Sequence, residues 1–445
     1  MDIKNKKVLI LGISVTGLGA VKFLHTCGAN IFVSEFDEKK KDSKEFEEIK
    51  KYTENIEIGH HSEDFIEGSS YVILSPSIPH TSKIIQTLKE KNIPYMSDIE
   101  FAYKFLQGGE NFVAITGTNG KTTTTMLTSH ILNGQFKAPY CGNIGISPLE
   151  IIKDNDFNYL TLEMSSYQGH YSPTFAPHIA IFCNLTPDHI GFHGNIESYF
   201  EAKARIFRNQ GKNDFAILNY DDEMVKKLGN ELNSTVYYYS VKEKTTLSIQ
   251  NNSIYFKDEK IIDIADIPLV GEHNYQNVMC AIAAAKILNI PNEIIKKQIM
   301  SFRAPEHRCE FVREADGIKF YNDSKATNPE ATLVALKAFV GQNVCLIAGG
   351  RDKNTSLDEF VEEIKKNIET VVLIGEATER FKEALLLGGY KNIIFADSLN
   401  DAIEKSIAKR PDVVLLSPAC ASFDMFKSFE DRGEKFKNYV NNRKF

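Results

Sequence analysis

Ile115-Thr116-Gly117-Thr118-Asn119-Gly120-Lys121-Thr122-Thr123 is the stretch that decides the fold. The apolar run Phe112-Val113-Ala114-Ile115 leads into it, and Thr124, Met126, Leu127, Ile131 and Leu132 continue it with helical spacing. A strand that turns through glycines into a helix start is a phosphate cradle. Backbone N–H groups converge there on oxygens, and the helix N-terminus adds partial positive charge. In such a cradle Lys121 reaches the terminal phosphates and the Thr122 hydroxyl sits on Mg²⁺. Reading the stretch as a merely flexible Gly/Thr loop leaves the order strand, glycines, Lys-Thr and helix without a cause. One departure matters: the G-x-x-x-x-G-K-[ST] pattern needs glycine at position 115, and this chain has Ile115. A shortened loop points away from generic ATPases and GTPases.

Around the loop, 445 residues allow roughly two to four domains, since one core rarely grows further. With 42% hydrophobic and 25% charged residues the composition is that of a soluble globular protein. The net charge of −7 argues against nucleic acid as a partner, because phosphate backbones need a basic surface. No apolar run approaches ~18 residues, so no membrane span is expected. The start, Met1-Asp2-Ile3-Lys4, lacks the apolar stretch of a signal peptide. The seven cysteines are scattered with no C-x-x-C pair, the pattern of reduced cytoplasmic thiols and not of a disulfide framework or zinc site. A monomeric cytoplasmic enzyme is the expectation.

The chain reads as three α/β blocks: a Rossmann-like domain over 1–98, a central P-loop domain with a parallel sheet over 99–304, and a second Rossmann-like domain over 305–445. Strands are predicted at Val8–Ile13, Ile31–Phe36, Ile56–Gly59 and Tyr71–Ser75, then at 159–162, 179–182 and 215–218. Alternation from Val236 to Ile264, with Asn251-Asn252 at a turn, predicts antiparallel hairpins. An alanine-rich helix is predicted over Asn277–Leu288. In the third block, strands at 344–348, 370–374, 392–395 and 413–416 alternate with helices at 357–366 and 399–409. Such sheets bind ligands at the carboxyl ends of their strands.

The first block opens Leu11-Gly12-Ile13-Ser14-Val15-Thr16-Gly17-Leu18-Gly19 after a strand, with Glu35 ending the next strand where an acidic residue often meets a ribose. Ser14 replaces the middle glycine of G-x-G-x-x-G, so a nucleotide diphosphate is favoured, with NAD or structural glycines as the alternatives. Ser75-Pro76-Ser77 could form the opposite lip or a simple turn. In the central block Glu163 and His189 follow strands that converge on the phosphate loop. Mg²⁺ ligation is the better reading for them, although isolated Glu and His are more often structural. Lys203, in a helical stretch, reads from the residues alone as a solvated lysine. Asn274 and Asn277, in Gly271–Asn277, reach an adenine or cap a helix. His307-Arg308 adds a cation. In the third block Asn322–Asn328, Gly349–Lys353 and Ser417–Asp424 are polar clusters at successive strand ends, which together suit a small charged substrate.

Together these segments resemble the Mur ligase superfamily of peptidoglycan synthesis. Ala114–Thr123, Asn184–His189, Gly271–Asn277, His307-Arg308 and Asp323–Asn328 are similar to its signatures, missing upstream glycine included. Cys141-Gly142-Asn143-Ile144-Gly145 and Leu416–Asp424, followed by Phe426 and Phe429, are similar to its D-glutamate-adding branch. The Asp-Asn-Pro-Arg element of the diaminopimelate-adding branch is absent; Thr327-Asn328-Pro329-Glu330 is the nearest string. Folylpolyglutamate synthetases share the ATP loop but are not expected to carry the first block.

The resemblance implies that ATP phosphorylates the carboxylate of UDP-N-acetylmuramoyl-L-alanine and that the D-glutamate amine attacks the acyl phosphate. ATP would be held by Gly117, Thr118, Asn119, Gly120, Lys121, Thr122 and Thr123, by Asn274 and Asn277, and by Arg308, Asp323 and Lys325. Two Mg²⁺ would be supported by Thr122, Glu163, His189 and a carbamylated Lys203; Lys121, Glu163, His189 and Lys203 form the implied catalytic group. Ser14, Val15, Thr16, Glu35 and Ser77 would meet the UDP end, and Asn143, Ser165 and Gln168 the muramoyl end. Thr327, Lys353, Ser422 and Phe423 would clasp D-glutamate. A dehydrogenase would leave the ATP loop without a task, and a non-catalytic UDP-sugar binder would not need Lys121, Glu163 and His189.

Overall fold

A computed structural model describes residues 1–444, which form three sheets. The first comprises β1 (Lys7–Leu11), β2 (Asn30–Glu35), β3 (Ile56–Ile58), β4 (Tyr71–Leu74) and β5 (Tyr95–Ser97). All its pairings are parallel, in the order β3-β2-β1-β4-β5. The chain reverses direction across the sheet beside β1, so the loop after β1 and the turn after β4 share one edge. That is where doubly wound sheets bind nucleotides.

The second sheet is built from β6 (Phe112–Thr116), β7 (Tyr140–Gly142), β8 (Leu160–Glu163), β9 (Ile179–Phe182), β10 (Phe215–Asn219), β11 (Thr235–Ser240), β12 (Leu247–Gln250), β13 (Ser253–Phe256) and β14 (Glu259–Asp263). Their order is β14-β13-β12-β11-β10-β9-β6-β8-β7. From β7 to β12 neighbours run parallel, and β12, β13 and β14 finish the sheet as antiparallel hairpins. Asn251 and Asn252 take positive φ (47° and 57°), as a two-residue hairpin turn requires. The predicted turn is there, but β11, at the start of the stretch expected to form antiparallel hairpins, pairs parallel with both its neighbours. β6, β8 and β9 are buried on both faces, which explains the apolar runs Phe112–Ile115 and Ile179–Phe182 in β6 and β9.

The third sheet holds β15 (Glu310–Ala315), β16 (Ile318–Asn322), β17 (Val344–Gly349), β18 (Thr370–Ile374), β19 (Ile393–Phe395) and β20 (Val413–Leu416), in the order β15-β16-β20-β17-β18-β19. The β/α series was predicted, but the antiparallel hairpin of β15 and β16 was not. Its β15 alternates half-buried and exposed residues without a long apolar run, and the periodicity signal is correspondingly weak.

By packing, the described residues fall into two compact units: Met1–Ile267 with His273–Phe302, and Pro268–Glu272 with the described residues from Arg303 onward. The first two sheets therefore share a unit. Their seam carries real contacts: Lys22 pairs with Glu150 at 2.8 Å, and the Ser97 and Ser172 hydroxyls meet at 2.7 Å. Among the described residues no helix is long and apolar enough to cross a membrane.

Candidate functional site

β6 lies between β8 and β9, so the loop leaving β6 is flanked by whatever follows those two strands. Gly120 has φ +80°, and a Cβ there would lie 2.4 Å from the Asn277 Oδ1 oxygen; only glycine fits. The helix Lys121–Leu132 begins directly afterwards, placing Thr122 and Thr123 in its first turn. Segment 184–186 braces the loop: Thr118 N–H donates to the Asn184 carbonyl at 2.9 Å, Asn119 N–H to Asn184 Oδ1 at 2.9 Å, and the Thr118 hydroxyl to the Thr186 carbonyl at 3.0 Å.

Two lysines converge on one loop carbonyl. Lys121 donates to the Gly117 oxygen at 3.0 Å and the Thr118 oxygen at 2.8 Å, and Lys203 donates to Gly117 at 2.6 Å. The solvated reading of Lys203 is overturned: it is 2% exposed, on the inner face of the helix Ile196–Arg208, with its ammonium 4.5 Å from the Tyr199 ring. Burial lowers its pKa well below the usual lysine value, and the charge of Lys121 pushes the same way against Asp188 and Glu163.

Glu163 ends β8 and is 3% exposed. Its Oε1 accepts from the Asn143 side-chain amide at 2.9 Å, while Oε2 is buried with no hydrogen-bond partner among the described residues. An orphaned buried carboxylate oxygen is costly and suits a hard cation. His189 is half exposed with φ +51°, its Nε2 3.4 Å from Asp188. A carboxylate and an imidazole are donor types that Mg²⁺ accepts, whereas the Lys203 ammonium cannot ligate.

The helix Glu272–Ile287 begins earlier than predicted, so Asn274 and Asn277 sit one turn apart inside it. Asn277 accepts from the Thr124 hydroxyl at 3.0 Å and donates to Asn274 Oδ1 at 3.1 Å, fixing the phosphate-loop helix from beneath.

In the first sheet, Ser14 caps the helix Val15–Thr26 by accepting from Gly17 N–H at 3.2 Å. Val15 is exposed and Thr16 half-buried. The Glu35 carboxylate accepts from the Ile13 N–H at 2.7 Å and the Asp37 N–H at 2.9 Å, so both its oxygens already hold loop backbone. A Cβ on Gly12 would lie 2.6 Å from that of Ser75, which brings the turn carrying exposed Ser77 against the glycine loop as the opposite lip. Asn143 is exposed on the loop after β7. Ser165 and Gln168 form a capping box at the head of the helix Ser166–His170, and Gln168 is buried there.

The second unit holds the remaining residues. Asp323 is buried, accepts from Cys309 N–H at 3.1 Å and from the Ser417 hydroxyl at 2.7 Å, and is pushed up to about 7, chiefly by burial. The Arg308 and Arg432 charges oppose that rise. Lys325 is exposed, its ammonium 5.2 Å from the Phe429 ring. Lys353 donates to the Thr327 hydroxyl at 3.3 Å; Ser422 is buried and Phe423 exposed.

Residue types alone do not mark Arg432 as part of the site. Arg432, fully buried on the helix Phe429–Asn442, donates to the Ser324 hydroxyl (2.9 Å) and carbonyl (2.8 Å) and to the Cys420 carbonyl (3.2 Å from both Nη atoms). It thereby ties segment 322–328 to segment 417–424. The signal was present: Phe429, Arg432, Phe436 and Val440 share one helical face at core spacing.

Residues 6–97 match the MurD-like N-terminal domain of Mur ligases, residues 115–285 the Mur ligase middle domain, and residues 307–420 the Mur ligase glutamate ligase domain. The UDP-N-acetylmuramoylalanine--D-glutamate ligase of Clostridioides difficile (strain 630) is 39% identical over 454 aligned positions, with 100% of each chain covered. A ligase of the same name from Thermoanaerobacter pseudethanolicus (strain ATCC 33223 / 39E) is 38% identical, with 99% of each chain covered. Among solved structures, the UDP-N-acetylmuramate-alanine ligase MurC of Thermotoga maritima matches with a TM-score of 0.60 at 18% identity, covering 98% of this chain and 100% of its own. That likeness speaks to the fold alone.

Proposed function

The chain belongs to the Mur ligase family, and from that premise we propose that it joins D-glutamate to UDP-N-acetylmuramoyl-L-alanine with cleavage of ATP to ADP and phosphate. The observation that carries the reading is the convergence of Lys121 and buried Lys203 on the Gly117 carbonyl, beside the orphaned oxygen of Glu163. A carboxylate has no good leaving group, so amide formation requires its activation. One carboxylate oxygen of the L-alanyl group attacks the γ-phosphorus and ADP leaves. The D-glutamate amine then adds to the acyl carbon, loses a proton, and expels phosphate.

Such transfer rests mainly on positioning and charge neutralisation. The phosphate loop and Lys121 hold the β- and γ-phosphates. Asn274 and Asn277 keep the loop helix in place, and the family resemblance adds Arg308, Asp323 and Lys325 to the residues that would meet ATP. Thr122, Glu163, His189 and a Lys203 carbamate would hold Mg²⁺, which would supply charge neutralisation at the transferring phosphoryl group. Lys203 is suited to that modification because a neutral amine, the form burial favours, is the nucleophile toward CO₂. Residues 1–98 take the UDP end along the lips formed by Ser14–Thr16 and Ser77, with Glu35 shaping the loop. Asn143 and Ser165 meet the muramoyl portion. Thr327, Lys353 and Ser422, with Phe423 beside them, clasp the D-glutamate carboxylates. The enzyme acts as a cytoplasmic monomer.

Phosphate release on mixing ATP, UDP-N-acetylmuramoyl-L-alanine and D-glutamate tests this directly. D-Glutamate-dependent release is expected. Release with L-lysine and none with D-glutamate would assign another acceptor within the family.

A further inference from the structure

β5 ends at Ser97, and the next residue, Asp98, opens the helix Asp98–Leu106 while only 1% exposed. An aspartate at a helix start is ordinary when it faces water, where it complements the helix dipole. This one faces protein. Its Oδ2 accepts from the Ser147 hydroxyl at 2.8 Å, and the Gln168 side-chain amide approaches the same carboxylate. Its Oδ1 makes no hydrogen bond within normal geometry among the described residues.

The two partners belong to two different segments, the Asn143 loop and the helix head at Ser165. Ser147 caps the helix Pro148–Ile152 and ends the segment Asn143–Ile146. That segment is pinned at its other end, where Asn143 N–H donates to the Glu163 carbonyl at 2.9 Å and the Asn143 amide to Glu163 Oε1 at 2.9 Å. Gln168 accepts through Oε1 from both the N–H and the hydroxyl of Ser165 at 3.0 Å. With Oε1 so engaged, its NH₂ group is the end left for Asp98, and the capping box fixes where Ser165 points.

We propose that Asp98 is a positioning residue for the UDP-muramoyl substrate, its carboxylate clamping the Asn143 segment, through Ser147, to the helix head that presents Ser165. This rests on the assignment of Asn143 and Ser165 to the muramoyl portion. Asp98 touches no reacting atom. It sets the spacing of the two residues that do meet the substrate, and a buried bridge of this kind holds its geometry because each member left unpaired would be penalised.

The test compares Asp98→Ala, Ser147→Ala and the double variant, with Asp98→Asn as the conservative control, in the phosphate-release assay with each of the three substrates varied. Asp98→Ala is expected to raise KM for UDP-N-acetylmuramoyl-L-alanine at least tenfold, with KM for ATP and for D-glutamate moving less than twofold. Ser147→Ala should give a smaller rise in the same constant, and the double variant should be no worse than Asp98→Ala. Asp98→Asn can still accept from Gln168 and donate to Ser147, and should recover most of the loss. Three constants that stay put, or that shift together as thermal stability falls, overturn the inference. Should Asp98→Ala not fold, Ser147→Ala and Asp98→Asn decide it on the same constant. A wild-type enzyme that turns over no D-glutamate would instead refute the proposed function, which separates the two failures.

Discussion

Burial shifts both Lys203 and Asp323 toward their neutral forms, with opposite consequences. For Lys203, burial beside Lys121 favours the neutral amine, the form that adds CO₂. Protein equilibrated with ¹³C-bicarbonate should show a carbamate carbon signal that disappears in Lys203→Ala, and activity should fall in CO₂-depleted buffer and return with bicarbonate. Unmodified Lys203 with full activity would end that idea. For Asp323 the ionised form is the disfavoured one, since its carboxyl rises from 3.8 to about 7 in the fold. The resulting penalty is fully present above pH ~7, shrinks as pH falls, and is gone below the unfolded value of ~3.9. Asp323→Asn should therefore stabilise the protein at pH 8 by an amount on the order of 2–4 kcal/mol, with the gain fading toward pH 5. Thermal melts of both forms across that range check the sign; a gain that grows on acidification would contradict it.

At the scale of elements, the phosphate loop and the C-terminal helix show how differently a sequence discloses its parts. Gly120→Ala forces a Cβ toward Asn277 Oδ1 at a left-handed backbone position. KM for ATP should rise at least tenfold in that variant, with UDP-substrate binding measured by calorimetry unchanged. Arg432→Met leaves the Ser324 and Cys420 carbonyls without their buried donor and should cost about 2–4 kcal/mol in urea unfolding. Arg432→Lys, which keeps the charge but not the planar fork, should fall between. The loop was legible because strand, glycines, Lys-Thr and helix occupy consecutive positions, and local order is what a linear sequence carries. Arg432 was overlooked although it sits at a core position of an amphipathic helix, because an arginine there is ordinarily read as solvated. The meeting of Asp98 and Ser147 with Gln168, itself expected at the muramoyl end, is not legible for another reason: it depends on segments apart in sequence, which only the packed sheets bring together. Glu35 was placed correctly at a strand end, yet its carboxylate is taken by the Ile13 and Asp37 amides, a backbone geometry that residue types alone do not encode.

At the scale of the whole molecule, three sheets in two compact units predict where cooperativity should break. The first two sheets share hydrophobic packing as well as the Lys22–Glu150 and Ser97–Ser172 contacts, since Phe23 of the first domain meets Phe101 edge-on and the cluster around it continues into Phe112 and Phe175. Packing of that extent makes one cooperative block of both. The third sheet has its own cores, one on each face, centred on Leu346 and Leu373 and on Ile347 and Val414. Calorimetry of the intact chain should accordingly resolve two transitions and not three. The variants assign them: Asp323→Asn at pH 8 should move one transition upward and leave the other in place, while Asp98→Ala should lower only the second of these. A nucleotide bound mainly by the phosphate loop should raise the same transition that Asp98→Ala lowers, because binding stabilises the block that holds the ligand. Both variants shifting a single common transition would mean that the chain unfolds as one cooperative block.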